Sequence, residues 1–330
     1  MNNRQKYRII ILSFLCIPMV VLAQKNRYGM TISTNTTGEC SIERRVEVEK
    51  LIDLSKLTDL CVKYKYIADK IQPEDYTGCK TSSFVYKDYG TYQLKMEVDI
   101  PAKTKGPFPF IIYVHGGGWA GGSLNGFVNQ SKYLASRGIA GVRISYTLKK
   151  QNGHFEQGMQ ELEDAFQFVK QHAGEWNLDI DRFGYAGGSA GTPLGALAAM
   201  QKENCKLFIG ANGIYDFTYT DNTGSFPGKN NSYLKNYNNL EKLKEISPFH
   251  QIPKKNPPAV ILFHGTADIT IPYQQSLLLY DKIKQVGGRA EKRIYPNYMH
   301  AFYGMNSSDK YEEITIEMYK FANEILNKKP

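Results

Sequence analysis

The 330-residue chain has no glycine-rich phosphate loop, no dinucleotide-binding glycine fingerprint and no clustered His, Cys and carboxylate spacing of a metal site. Those absences leave nucleotide, redox and metal chemistry without a foothold, and no cofactor is expected. There are no internal repeats and no low-complexity tracts. Lysines are scattered: Lys149-Lys150 and Lys254-Lys255 read as solvated loop charges, so the formal charge of +9 does not mark a nucleic-acid surface. The apolar stretch Ile9 to Leu22 falls short of the roughly 20 residues that a membrane-spanning helix needs. What remains is a chain with 42% hydrophobic residues, enough for one large core.

Ser189 lies in Gly187-Gly188-Ser189-Ala190-Gly191, after the apolar run Phe183 to Ala186 and before the small-residue stretch Thr192 to Met200. This order predicts a serine on a sharp strand-to-helix turn, with glycines where side chains have no room and the hydroxyl projecting above a sheet. The motif is short and common in loops, so its neighbours must carry the argument. Upstream, Phe108 to Val114 reads as a buried strand running into His115-Gly116-Gly117-Gly118-Trp119. Bare backbone there offers N–H groups of Gly117 and Gly118 which, with Ala190, suit an oxyanion. Downstream, Pro257 to Phe263 is a second buried strand, leading to His264-Gly265-Thr266-Ala267-Asp268. A third, Ala290 to Tyr295, leads to Tyr298-Met299-His300. Nucleophile Ser189, acid Asp268 and base His300 thus follow one another, each at the carboxyl end of a predicted strand. Asp216, after the apolar run Leu207 to Ile214, competes with Asp268 as the acid. His115 and His264 read as braces of glycine turns.

With those motifs, the chain resembles the α/β-hydrolase superfamily, within the esterase and lipase group whose oxyanion loop reads H-G-G-G-W. It is similar to secreted bacterial acyl-esterases of the acetyl-xylan and feruloyl-esterase kind. The resemblance spans residues 84 to 326 and includes Asp179-Ile-Asp-Arg182, Gly213-Ile-Tyr-Asp216 and Ser247-Pro248. It implies a doubly wound, mostly parallel α/β sheet with helices on both faces, and a serine esterase acting through an acyl-enzyme. Its substrate would be an acetyl or feruloyl ester, carried on an oligo- or polysaccharide. Thr192 and Pro193 depart from the small residues usual after Ser-Ala-Gly; proline is tolerated in a first helical turn. A lipase or general carboxylesterase, a peptidase-like amidase and a non-catalytic binding protein on the same fold remain alternatives.

Three regions are expected: a signal peptide at 1–23, an N-terminal extension at 24–83 and a catalytic domain at 84–330 with a rim insertion at 217–246. Arg4, Lys6 and Arg8, then the apolar stretch, then Val21-Leu22-Ala23 give the layout of an export signal, cleaved near Ala23 into a secreted or periplasmic protein. Cleavage removes three basic and no acidic residues, taking the charge from +9 to +6. No stable membrane span would then remain; a single membrane anchor is the competing reading. Cys40, Cys61, Cys79 and Cys205 survive cleavage and allow three disulfide pairings. The extension carries a helical pattern near Val46 to Leu60. The insertion is rich in aromatics, and Trp119, Tyr215 and Tyr219 are the candidate substrate rim, with Phe226, Tyr233 and Tyr237 beyond; for most of the tyrosines and Phe226 the favoured alternative is that they only pack the insertion onto the core.

Overall fold

The computed structural model describes residues 71, 73–220, 231–304 and 310–327, together with two short strands, Ile11–Phe14 and Ile17–Val20, paired antiparallel in a separate unit. Apart from those strands, the export segment lies outside the described residues. So do the helix expected near Val46 to Leu60, Cys16, Cys40, Cys61 and Phe226. Among the described residues no helix is long and apolar enough to cross a membrane.

The second unit is built on eight strands: β1 Cys79–Asp88, β2 Gln93–Pro101, β3 Phe108–Val114, β4 Ala140–Ile144, β5 Leu178–Gly188, β6 Leu207–Ala211, β7 Ala259–Gly265 and β8 Ala290–Tyr295. Their order in the sheet is β1-β2-β4-β3-β5-β6-β7-β8, with β3 to β8 parallel and the β1-β2 edge antiparallel. Helices α1 Val128–Ala135, α2 Phe155–His172, α3 Gly191–Gln201 and α5 Gln274–Gln285 make the crossovers; α4 Leu240–Glu245 lies in the insertion and α6 Tyr311–Leu326 follows β8. This is an α/β-hydrolase sheet.

Side chains alternate across a strand, so a strand apolar at every position must be covered on both faces. In β3, Phe110, Ile112 and Val114 enter the core under α2, α3 and α5, where Leu162, Leu194 and Leu279 pack. Ile111 and Tyr113 enter the opposite core, with Leu134 of α1 and Ile314, Met318 and Phe321 of α6. By contrast β1 is largely exposed, with Lys80, Thr81, Ser82 and Ser83 on the edge, which suits a strand that must not recruit another chain. That polar edge moves the domain boundary: the compact unit begins at Ile71, and residue 84 falls inside β1. Cys79 and Cys205 are both free thiols, so the pairing of those two is not formed. Burial pushes the Cys205 thiol up to about 12, which keeps it a protonated, unreactive packing group.

Candidate active site

Ser189 caps β5 with φ of 49°, a left-handed value that is strained for a non-glycine residue. The turn is held by the Ser189 N–H donating to Ala211 O at 2.9 Å, and by Thr192, whose hydroxyl donates to Ser189 O and accepts the Ile214 N–H at 3.1 Å. Thr192, the departure from the usual small residue, thus ties the turn to the loop after β6. A Cβ at Gly187 would lie 2.7 Å from Gly191 O, and one at Gly191 would lie 2.2 Å from Val114 O; glycine is required at both by close approach of backbone. Ser189 is 9% exposed, sheltered yet open to a small group.

The structure brings together the three residues singled out by the motifs. Ser189 Oγ lies 2.7 Å from His300 Nε2, and His300 Nδ1 lies 2.7 Å from Asp268 Oδ2. A carboxylate only accepts, so His300 carries its proton on Nδ1 and presents a lone pair at Nε2 to the serine hydroxyl. Asp216 does not join them: its Oδ1 accepts from the Thr218 N–H at 2.8 Å and from the Thr218 hydroxyl at 2.6 Å, with His250 at 3.4 Å.

Asp268 sits in a nest of donors that the sequence does not announce. Oδ2 also accepts from Asn212 Nδ2 at 2.8 Å and from His264 Nε2 at 3.2 Å, while Oδ1 accepts the Thr270 and Ile271 N–H groups, each at 2.9 Å. His264 Nε2 also faces Ile271 O at 3.0 Å; with two acceptors before it, Nε2 must carry the hydrogen, leaving Nδ1 to accept from Ser276 Oγ at 2.7 Å. His264 is therefore more than a brace of its turn: it orients the acid. Asn212 follows β6 with φ of 49°, a conformation asparagine tolerates well, and that bend turns its amide towards Asp268. An Asn directly after a buried strand was the available signal for it.

Burial alone would raise the Asp268 pKa. Hydrogen bonds from His264 and His300, the electrostatic pull of the His300 ring and the Ile271 N–H outweigh it and hold the carboxyl well below the usual carboxylate range. A carboxyl depressed by folding stabilises the protein fully above its unfolded pKa, about 3.9, and loses that contribution as pH falls from there towards the folded value. Urea unfolding between about pH 5 and pH 3 should therefore show a steeper loss of stability in the wild type than in Asp268→Asn. Equal slopes would mean that the carboxyl is not held in this way.

The loop after β3 supplies backbone donors. Gly117 and Gly118 have φ of 121° and 61°, and among the described residues the N–H groups of Gly117, Gly118 and Ala190 have no protein acceptor. His115 is buried with Nδ1 2.8 Å from Gly116 O, its ring stacks 4.5 Å from Tyr146, and the Tyr146 hydroxyl donates to His115 O at 2.9 Å. Burial lowers its pKa, so it braces the loop as a neutral ring.

The expected aromatic rim is corrected in two places. Trp119 is 2% exposed and stacks face to face on Tyr233 at 5.4 Å; Tyr215 is fully buried, edge-on to Phe208 at 6.3 Å. Trp119 packs against the insertion through Tyr233 and Tyr215 packs on the sheet through Phe208, because large aromatic surface gains most from leaving water. Tyr233 does the same, donating to Thr147 O at 3.1 Å; Tyr219 and Tyr237 remain half-buried.

The BD-FAE family model matches residues 96–283. Among curated proteins the chain is similar to the isoprenylcysteine alpha-carbonyl methylesterase of Arabidopsis thaliana, 25% identical over 66% of this chain and 56% of that one. It is also similar to an acetyl esterase of Salmonella schwarzengrund, 24% identical over 62% and 69%. The chain spans about half the length of the first curated relatives it matches. Among solved structures it is similar to a thermophilic esterase of Thermogutta terrifontis, with TM-score 0.63 and 26% identity over 76% of this chain and 93% of that one. The butyrate-bound form of that esterase gives TM-score 0.64 and 26% identity over 77% and 98%.

Proposed function

The chain belongs to the BD-FAE family, and from that premise we propose a secreted serine carboxylesterase that removes acetyl or feruloyl groups from carbohydrate. The observation that carries the esterase chemistry is the relay from Ser189 through His300 to Asp268, facing three unclaimed backbone donors. A serine hydroxyl is a weak nucleophile near neutral pH and needs a base within hydrogen-bond reach. His300 Nε2 takes the Ser189 proton as Oγ attacks the ester carbonyl. The oxyanion that forms is received by the N–H groups of Gly117, Gly118 and Ala190, each such donor being worth about 100-fold or more in rate. His300 then protonates the departing alcohol, and a water activated at the same nitrogen releases the acid.

Short acyl groups are supported by the acetyl esterase among the relatives and by the structural neighbour solved with butyrate. Carbohydrate as the alcohol is the reading that the acyl-esterase resemblance favours, with Tyr219 as its remaining aromatic contact at the rim. Export is supported by Arg4, Lys6 and Arg8 ahead of the apolar stretch from Ile9.

The test is release of acetate, ferulate and longer acids from matched sugar and p-nitrophenyl esters, with Ser189→Ala beside the wild type. Turnover of sugar esters should fall at least about 1,000-fold in the variant, which should also lose fluorophosphonate labelling. Serine-dependent cleavage confined to long-chain glycerides would point to a lipase, and confined to amides to an amidase. No serine-dependent turnover at all would leave a binding protein.

A further inference from the structure

Tyr303 follows His300 by three residues, in the 3-10 turn Phe302–Gly304, and is buried. It is anchored away from the site: its carbonyl accepts from Gln130 Nε2 of α1 at 3.1 Å, and its ring stacks with Phe127 at 5.7 Å. The hydroxyl end reaches the turn that carries the nucleophile. A Cβ built on Gly188 would lie 1.9 Å from Tyr303 Oη and 2.5 Å from its Cζ. One built on Gly116 would lie 3.3 Å from the same oxygen and 3.0 Å from Ser189 Cβ. Gly188 has no positive φ, so its backbone would accept alanine; the phenol occupies the room that alanine's methyl would need.

One rigid side chain thus lies against the turn before Ser189 and beside the start of the oxyanion loop, while its own backbone continues from His300. We infer that Tyr303 is a positioning residue that sets the reach of His300 Nε2 to Ser189 Oγ by wedging the histidine loop against Gly188 and Gly116. An aromatic ring with two torsions is stiff enough to fix that spacing, and a flexible aliphatic chain is not. Burial, with the Asp268 charge behind it, pushes the phenol well above its ordinary pKa, so the wedge stays neutral throughout the working range. The inference rests on the esterase reading.

The experiment compares wild type, Tyr303→Phe, Tyr303→Leu, Gly188→Ala and the double variant Gly188→Ala/Tyr303→Leu. Each is tested with p-nitrophenyl acetate and a fluorophosphonate, and active sites are counted by final labelling stoichiometry. A nucleophile and base displaced by about 1 Å lose about 100-fold in rate. Tyr303→Leu should therefore lower kcat about 100-fold and Tyr303→Phe about 10-fold, with KM within about two-fold and full labelling reached more slowly. Gly188→Ala should lose a similar factor, and the double variant should lose no more than the worse single variant, because alanine's methyl enters the room the ring has left.

Reduced labelling stoichiometry with a normal rate per labelled site would show a residue needed only for folding, and would overturn the inference. So would effects of the two single substitutions that multiply. Should Tyr303→Leu fail to fold, Tyr303→Phe decides by its labelling rate. Ser189→Ala separates the two failures: turnover retained there removes the esterase reading and this inference with it. Turnover lost there but unchanged in the Tyr303 variants removes the inference alone.

Discussion

Asp268→Asn is expected to lower kcat by about 10⁴-fold while leaving KM nearly unchanged. Two backbone donors, the N–H groups of Thr270 and Ile271, would pin the amide oxygen at the place of Oδ1. The amide nitrogen would then stand at Oδ2, where three donors converge from His300, Asn212 and His264. A donor facing donors cannot be satisfied unless His300 adopts the other tautomer, with its proton on Nε2. That nitrogen must accept the Ser189 proton 2.7 Å away, so the base would be lost with the geometry almost intact. Stopped-flow hydrolysis of p-nitrophenyl acetate, with circular dichroism as the folding control, reads this directly. A loss below about 10-fold in a folded variant would mean that Asp268 does not set the tautomer.

The legibility of this molecule follows how local each signal is. Strands β3 and β7 were readable because both faces are covered, which leaves unbroken apolar runs at Phe108 to Val114 and Ala259 to Phe263. The helix carrying Met159, Leu162, Phe166 and Val169 was readable because its stripe repeats at helical spacing over Phe155–His172. The domain boundary expected at residue 84 cuts into β1 because an exposed edge strand carries polar residues such as Lys80 and Ser82, and shows no apolar period to detect. At the site, the motifs name residues that lie within hydrogen-bond reach of one another, since glycine turns at strand ends are local signals. The Asp268 nest was not legible: Asn212, His264 and Ser276 meet only through the order of strands β6 and β7 and the start of α5. Nor was the fate of the aromatics. Trp119 and Tyr215 have the composition of a sugar-stacking rim, and only packing against Tyr233 and Phe208 decides that they are interior.

The same distinction governs the charge whose loss should cost most stability. Arg143 of β4 and Asp99 of β2 are 1% and 0% exposed, joined by Nε–Oδ2 at 3.0 Å and Nη2–Oδ1 at 3.2 Å. Asp99 also accepts from the hydroxyls of Thr81 and Ser131, while Arg143 Nη1 reaches Glu97 at 2.6 Å and Leu124 O at 2.9 Å. The pair therefore ties β1, β2, β4 and α1 to the turn that follows the oxyanion loop. Arg143→Met keeps much of the volume but leaves a carboxylate in the core without its cation, and should destabilise the protein by about 3–5 kcal/mol in urea unfolding. Adding Asp99→Leu should recover part of that loss, because two apolar side chains avoid the desolvation of an unpaired buried charge, leaving the Thr81 and Ser131 hydroxyls, Leu124 O and the half-buried Glu97 carboxylate to be resatisfied. If the double variant were less stable than Arg143→Met, the buried charge would not be the source of the damage, and the lost donors of Arg143 to Leu124 O and Glu97 would have to be. Either way the effect should reach catalysis only through the fraction folded, since neither side chain touches Ser189, His300 or Asp268.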